Sequence, residues 1–323
     1  MGYSSAVLLR ATRRLEDENR KKQAEYEEAL SQAYALRPRL REIDRALRRT
    51  AAQAVAVCFE KGEDPVAAIA RLRKENLALQ EERQWILDEA EIPEDSLDDS
   101  PLCSLCGGTG YRNGVMCECL RELCRQEQKR ELAPLLTTGK ERFEHFRLDV
   151  YPDRFYPAIG TTPRKLMQRN LSFCRRYAAE FRPGAKNLLF SGATGLGKTY
   201  LSACIARQVT DAGFGVVYVT AAKLFADYEA VKFDRLDASA LESYETADLL
   251  ILDDLGTEMT TPVVISSLYT LVNQRYLSHS STIISTNLPT DKLEDRYNAQ
   301  ISSRLQGYYE LIVFEGEDIR LKG

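Results

Sequence analysis

The chain has 323 residues, with 44 Lys+Arg against 48 Asp+Glu and a formal net charge of −4. At roughly 100–200 residues per domain, that length suggests about two domains. A charge so near balance excludes wholly electrostatic, histone-like nucleic-acid binding, though not a local basic face, and 44% hydrophobic with 28% charged residues is ordinary for a soluble globular protein.

No apolar run approaches the roughly 18–20 residues that a bilayer span needs. The N-terminus lacks the basic start and apolar stretch of an export signal. The expectation is a cytoplasmic protein with no membrane partner. In a reducing compartment its eight cysteines read as free thiols or metal ligands rather than disulfides.

Residues 1–92 are polar and helix-rich, and are predicted to form a helical partner-binding domain. Pro38 and the Gly62-Glu63-Asp64-Pro65 turn divide them into about three helices, with Asp64 as an N-cap and Pro65 at the first helical position. In the third helix Leu72, Leu79 and Ile86 recur every seven residues, while a second row begun by Ile69 continues through Asn76 and Arg83. This half-polar seam fits a small antiparallel bundle. The alternative is a coiled-coil-like surface for a partner protein. Trp85 is expected to pack within the third helix. Residues 1–50 hold 12 Lys/Arg and 8 Asp/Glu, a local net of +4. Arg41, Arg45, Arg48 and Arg49 crowd one or two turns there, which is ordinarily a solvated face and alternatively a nucleic-acid contact.

Residues 93–136 read as a linker carrying a cysteine knuckle. An acidic stretch precedes Cys103-Ser104-Leu105-Cys106, and Cys117-Glu118-Cys119 follows after several glycines. Four thiolates suit tetrahedral Zn²⁺, and the glycines permit tight turns between the ligand pairs. An iron–sulfur centre and free thiols are the alternatives, and Cys124 could replace Cys117 or Cys119. Cys58, Cys174 and Cys204 sit in helical apolar patterns and are expected in the core. His145 and His279 lack spaced partners and receive no role.

Residues 137–323 alternate apolar strands with amphipathic helices, which predicts a parallel α/β domain. Asn187–Ser191 reads as a buried strand. Gly192-Ala193-Thr194-Gly195-Leu196-Gly197-Lys198-Thr199 follows at once and then a helix, the full phosphate-loop pattern in its strand–loop–helix setting. Glycines let backbone N–H groups curl around a triphosphate, and the helix N-terminus adds partial positive charge. Lys198 is placed for the β- and γ-phosphates and the Thr199 hydroxyl for Mg²⁺. A second hydrophobic run ends in Asp253-Asp254, the first carboxylate suited to Mg²⁺ and the second to the attacking water. Ser281–Thr286 is another buried strand, and Asn287 beyond it is placed for the water or the γ-phosphate. Arg304 follows on a helix, where it can reach a neighbouring subunit as an arginine finger.

Together these features resemble the AAA+ ATPase family, with a Walker A motif at 192–199, a Walker B motif at 249–254, a sensor-1-like Asn287 and a box-VII-like Ser303-Arg304-Leu305. Within it the chain resembles the DnaC-like helicase loaders and the IstB-like transposition helper ATPases. That likeness rests on Asp253-Asp254-Leu255-Gly256-Thr257-Glu258 and on Phe143-Glu144-His145-Phe146-Arg147-Leu148. It covers about residues 140–323, and 101–121 by the cysteine pattern.

The resemblance implies a five-stranded parallel sheet in the order 5-1-4-3-2. The residues themselves place an all-α domain and a small zinc knuckle before it, and the 36 residues after Asn287 are expected to be too few for the C-terminal lid that many AAA+ relatives carry. The resemblance implies ATP and Mg²⁺ as ligands and a ring or spiral of identical chains in the ATP state. It also implies binding to single-stranded DNA and to a replicative DNA helicase. By position, Gly192 to Thr199 and Asp253 would hold nucleotide, Thr199 and Asp253 the metal, Asp254 the usual catalytic Glu position, Asn287 sensor 1 and Arg304 the finger. Asp for Glu shortens the base by one methylene, which suits a slow, switch-like ATPase. The implied function is an ATP-dependent helicase loader in DNA replication. The alternatives are an IstB-like transposition helper and a nucleotide-sensing zinc adaptor with little hydrolysis. DNA contact is expected after the second strand of the domain, on Lys223, Phe225, Tyr228 and Lys232. Arg320 is a candidate sensor-2 substitute without an assignment.

Overall fold

The structure, a computed structural model, describes residues 2–57, 65–132 and 141–322. Cys58, the 62–64 part of the expected turn with its Asp64 cap, and residues 137–140 lie outside the described residues. The chain divides into two compact units, Arg14–Cys117 and Met1–Arg13 with Glu118–Gly323. These limits differ from the sequence boundaries of 1–92, 93–136 and 137–323.

Unit Arg14–Cys117 is built on three helices, α1 (Ser5–Leu36, whose first turns belong to the other unit), α2 (Pro38–Val57) and α3 (Pro65–Glu89). Pro38 starts α2 because a proline lacks the N–H that a helix interior needs. Arg39 pairs with Glu82 at 2.8 Å, Arg83 with Asp44 at 2.9 Å, and Asn76 donates to Thr50 Oγ1 at 2.8 Å, so α2 and α3 run antiparallel. Leu79 and Ile86 of one seven-spaced row of α3 and Asn76 and Arg83 of the other serve this internal pairing, while Ile69 is 40% exposed. Leu79 and Ile86 pack with Ala33, Leu40, Ile43, Leu87 and Leu97 in a small core, while Asn76 and Arg83 find polar partners on α2. Trp85 is 63% exposed, which corrects its expected packing role. It lies one position before Ile86, off the buried stripe. A short antiparallel hairpin, β1 (Tyr111–Arg112) and β2 (Val115–Met116), follows in the cysteine region.

The other unit holds a parallel sheet of β3 (Asn187–Ser191), β4 (Val216–Thr220), β5 (Leu249–Leu255), β6 (Ser281–Thr286) and β7 (Tyr309–Val313). Its order is β4-β5-β6-β3-β7, which counted within the domain is the expected 5-1-4-3-2. Helices α4 (Glu118–Leu132), α5 (Pro163–Ala179), α6 (Lys198–Asp211), α7 (Ala221–Lys232), α8 (Ser239–Thr246), α9 (Pro262–Leu277), α10 (Leu293–Arg296) and α11 (Ala299–Tyr308) complete the unit. Side chains alternate across the sheet. Leu188, Phe190, Ile251 and Ile283 pack with Leu201, Ile205 and Val209 of α6, whereas Leu189, Leu250, Leu252 and Ile284 pack with Leu268 and Leu271 of α9. Covering both faces explains why these strands read as continuous apolar runs. Each such side chain contributes about 1.5–3 kcal/mol on burial.

Local chemistry fixes the helix starts. Thr162 accepts from Lys165 N at 3.2 Å with Pro163 next, Thr261 from Val264 N at 3.3 Å with Pro262 next, and Asn298 from Ile301 N at 2.8 Å. Residues 2–13 group with this unit through specific contacts. Gly2 N donates to Asp248 Oδ2 at 3.3 Å, Tyr3 Oη to Gly213 O at 2.8 Å, and Arg10 pairs with Glu131 at 2.9 Å. A Cβ on Gly215 would lie 1.9 Å from Gly2 O, so the terminal segment lies flush on the start of β4.

Candidate functional site

The phosphate loop leaves β3 at Gly192 and enters α6 at Lys198. Gly192 (φ 157°), Gly195 (φ 75°) and Gly197 (φ 92°) all have positive φ, and the last two lie in the left-handed region that only glycine adopts without strain. Space demands glycine as well. A Cβ at Gly192 would meet Phe314 O at 2.1 Å, and one at Gly195 would meet Asp318 Oδ1 at 1.8 Å. The segment after β7 thus closes over the loop, and Ile319 N donates to Gly195 O at 3.0 Å.

A cavity of about 310 Å³ lies against this loop. Thr194, Gly195, Leu196, Gly197, Lys198 and Thr199 line it with Asp254 and Asn287. Lys198 Nζ donates to Gly192 O at 2.6 Å, Ala193 O at 2.8 Å and Asn287 Oδ1 at 2.7 Å. Burial pushes its pKa down, against the pull of Asp254 and Asp253. Thr199 Oγ1 lies 3.4 Å from Asp253 Oδ1. The hydroxyl and carboxylate are hard oxygen donors, which is the chemistry that Mg²⁺ takes. With a backbone cradle and a desolvated ammonium beside them, these residues fit a metal-bound triphosphate.

Adjacent strand residues normally point to opposite faces, yet Asp253 and Asp254 both serve this end of the sheet. The register against β6 runs Leu252↔Ile284 and then Leu255↔Thr286, so β5 carries an extra residue there. The bulge re-aims the pair, and Asp254 takes φ 56°. Ser285 locks the arrangement by donating its hydroxyl to Asp253 Oδ1 and accepting from Asp254 N at 3.0 Å. Tyr218 Oη donates to Asp253 Oδ2 at 2.7 Å. Burial first, then the Asp253 charge, holds the Asp254 carboxyl above its usual range, while Lys198 and Arg320 oppose that shift.

Sequence reasoning did not reach Tyr218, Ser285 or Glu141, which also lines the cavity. Polar residues inside otherwise apolar strands were the available signal for the first two. Arg320 lines the cavity with Ile319, and only the folded path of the last residues brings it there.

Arg304 is elsewhere. Its guanidinium lies 4.3 Å from the centre of the Tyr269 ring, donates to Tyr269 Oη at 2.8 Å and reaches Asn273 Oδ1 at 3.4 Å. It does not line the nucleotide cavity of its own chain. Glu258 is buried and ties the loop after β5 to α10 through Gly256 N, the Tyr297 hydroxyl and Arg296.

The expected DNA-contact segment needs correction. Phe225 is buried and Tyr228 packs against the core, so neither ring is available for stacking. Lys223 is ion-paired with Asp227. On α7 the outward positions are set by the sheet beneath, which claims the aromatic residues for packing.

The sulfurs of Cys103, Cys106, Cys117 and Cys119 all lie within 4.8 Å of one another. Gly110 N donates to Cys106 Sγ at 3.3 Å, and Cys117 N to Gly110 O at 2.8 Å. Gly107, Gly108 and Gly110 take φ of 63°, 79° and 77°, which makes the tight turn between the pairs. Four convergent thiols with an N–H bonded to sulfur fit a tetrahedral Zn²⁺. Cys124 is not among them. It is buried, and its thiol is pushed up to about 11 by burial and by Glu127. Cys174 and Cys204 are buried core residues.

A parallel sheet in this order, with a phosphate loop after β3, which lies between β6 and β7, and an acidic end on β5, defines a P-loop domain of the AAA+ type. Residues 161–322, half of the chain, match the family described as IstB-like ATP binding protein. The chain belongs to that family. It is 29% identical over 136 residues to the uncharacterized protein YdaV of Escherichia coli (strain K12), covering 42% of this chain and 55% of YdaV. It is 24% identical over 154 residues to the replicative helicase loader DnaC of Buchnera aphidicola subsp. Schizaphis graminum (strain Sg), covering 46% of this chain and 63% of that one. The chain thus spans between half and two thirds of these relatives' length. A crystal structure of the DnaC helicase loader superposes with a TM-score of 0.45 at 23% identity, covering 54% of this chain and 98% of that one. Among the described residues no helix is long and apolar enough to cross a membrane.

Proposed function

We propose that this chain is an ATP-dependent loader of a replicative DNA helicase. The observation that carries the reading is the convergence of Lys198, Asp254 and Asn287 on one cavity, beside Thr199 and Asp253. ATP and Mg²⁺ are the ligands of that cavity. Asp254 orients the attacking water, and its raised pKa and short reach make hydrolysis slow and switch-like. Lys198 neutralises the phosphates, with Asn287 positioning it. Arg304 acts on a neighbour's nucleotide in a ring or spiral of identical chains, held ready by Tyr269. Zn²⁺ on Cys103, Cys106, Cys117 and Cys119 is structural and stiffens the region before α4.

Single-stranded DNA meets the turn after α7. Phe233 is 58% exposed there, with the Arg235 guanidinium 5.6 Å from its ring, and Lys232 beside it is exposed. An exposed ring with cations is what sequence-tolerant base stacking needs.

The test is affinity capture from the native cell with Asp254→Asn, which retains ATP, together with steady-state ATPase rates with and without single-stranded DNA. Helicase in the captured complex and DNA-stimulated turnover are expected. A captured transposase favours the second reading, a transposition helper, for which the matched IstB-like family speaks. Zero turnover under both conditions favours a nucleotide-sensing zinc adaptor.

A further inference from the structure

We infer that the Arg41, Arg45, Arg48 and Arg49 ridge of α2 is a binding surface for the phosphate backbone of duplex DNA. The inference does not depend on the loader reading.

All four side chains are exposed. Their spacing of four, three and one residues places them along one face of α2 over about 12 Å. The other charges of this helix are spoken for. Arg39 is held by Glu42 and Glu82, and Asp44 by Arg83 and the Tyr34 hydroxyl. None of the four arginines meets a carboxylate at ion-pair distance among the described residues. Arg41 rests on the Tyr34 ring, 5.4 Å from its centre, which restrains the start of the ridge. Like charges three and four residues apart repel along a helix, and a polyanion relieves that repulsion.

Two features favour nucleic acid over an acidic protein surface. Protein interfaces take their energy from buried aromatic and aliphatic anchors, and among the described residues no large apolar side chain of α2 is exposed. The exposed neighbours are Ala51, Ala52 and Gln53. Moreover, all four cations are arginines, whose planar fork matches phosphate oxygens two at a time. A duplex offers a charge every ~1.7 Å of axis, so a 12 Å ridge faces about seven phosphates.

The test is the salt dependence of binding by the full chain, without nucleotide, to a 30-bp DNA duplex and to single-stranded DNA of equal length. Four neutralised phosphates give a log–log slope of about 3.6 for duplex. The variant Arg41→Gln/Arg45→Gln/Arg48→Gln/Arg49→Gln is expected to reduce the duplex slope by two or more. Its affinity at 0.1 M salt should fall at least about tenfold. The all-lysine counterpart keeps the slope and loses only a few-fold in affinity. A control with Arg20, Lys21, Lys186 and Lys292 changed to Gln removes the same charge from residues that are already ion-paired, and it keeps the slope. A duplex slope reduced by less than two, or reduced equally in the control, overturns the proposal. So does a loss confined to single-stranded DNA. Circular dichroism checks that the exposed substitutions leave α2 helical.

Discussion

The two compact units hold together by different physics. The sheet unit has apolar layers on both faces of β3 to β7, with side chains such as Phe190, Leu250 and Ile283 fully buried. Among the described residues, unit Arg14–Cys117 has a small cluster around Leu40, Ile43 and Leu87, and polar pairs such as Asn76 with Thr50 and Arg83 with Asp44 join its helices beside it. A thick core holds the buried Asp253 and Lys198 and the half-buried Asp254 at one end of the sheet. A thin core leaves side chains outward and available, and its stability depends on polar pairs, which are screened by salt, and on any bound metal.

The sharpest break between the two should come from the cysteine cluster. Cys106→Ser, or chelation, is expected to remove one zinc per chain, since structural zinc supplies about 10 kcal/mol or more in small domains. Limited proteolysis should then cut within residues 93–117, while Mg-ATP affinity stays unchanged. Native metal content by mass spectrometry showing no zinc would refute the assignment.

Truncating one core residue in each unit comes next. Leu87→Ala and Ile283→Ala should each cost about 2–5 kcal/mol. The cost is the same in kind and the consequence differs. Urea unfolding followed by hydrogen exchange should show residues 14–117 opening early in the first variant, with nucleotide binding intact. The second variant should lose binding along with the sheet. A shared single transition in both would mean that the units do not differ as claimed.

How much of this was legible beforehand follows from how local each signal is. The phosphate loop is one contiguous stretch, and its glycines and Lys198 could be read without knowing what folds over them. The strand–helix alternation predicted a parallel α/β domain, and the order of its strands came from the family resemblance alone. Tyr218 and Ser285 were not legible, because their role arises from the pairing of β4 and β6 with β5. The bulge at Asp253 is likewise a property of two strands together. Phe225 and Trp85 were misplaced for a shared reason. Composition shows that a helix has an apolar residue, while neighbouring elements decide whether it is covered. Residues 2–13 join the sheet unit through contacts with Gly213 and Asp248, more than 200 positions away, beyond any local pattern.

A smaller effect is expected from Tyr218→Phe. It removes one hydrogen bond to Asp253, worth about 1.5–3 kcal/mol to a charged acceptor. The Mg²⁺ concentration for half-maximal turnover should rise several-fold with little change in the melting temperature. No change in metal dependence would assign Tyr218 a packing role alone.

The smallest effect is a silence. Burial holds Cys124 up at about 11 and Cys204 at about 12. A raised pKa keeps both as thiols below those values, and the thiol does not attack alkylating agents. With iodoacetamide at pH 8 and a chelator, peptide mapping should find Cys103, Cys106, Cys117 and Cys119 labelled, and Cys124 and Cys204 untouched until the pH approaches their pKa values. Labelling of Cys124 in step with the four would make it a ligand.

Titration calorimetry with Mg-ATP tests the nucleotide cavity most directly. The native chain should bind one equivalent, and Lys198→Ala should bind at least a hundredfold more weakly while unfolding at the same temperature. Absence of heat with the native protein, or equal affinity in the variant, would contradict the assignment of the cavity beside Lys198 and Asp254.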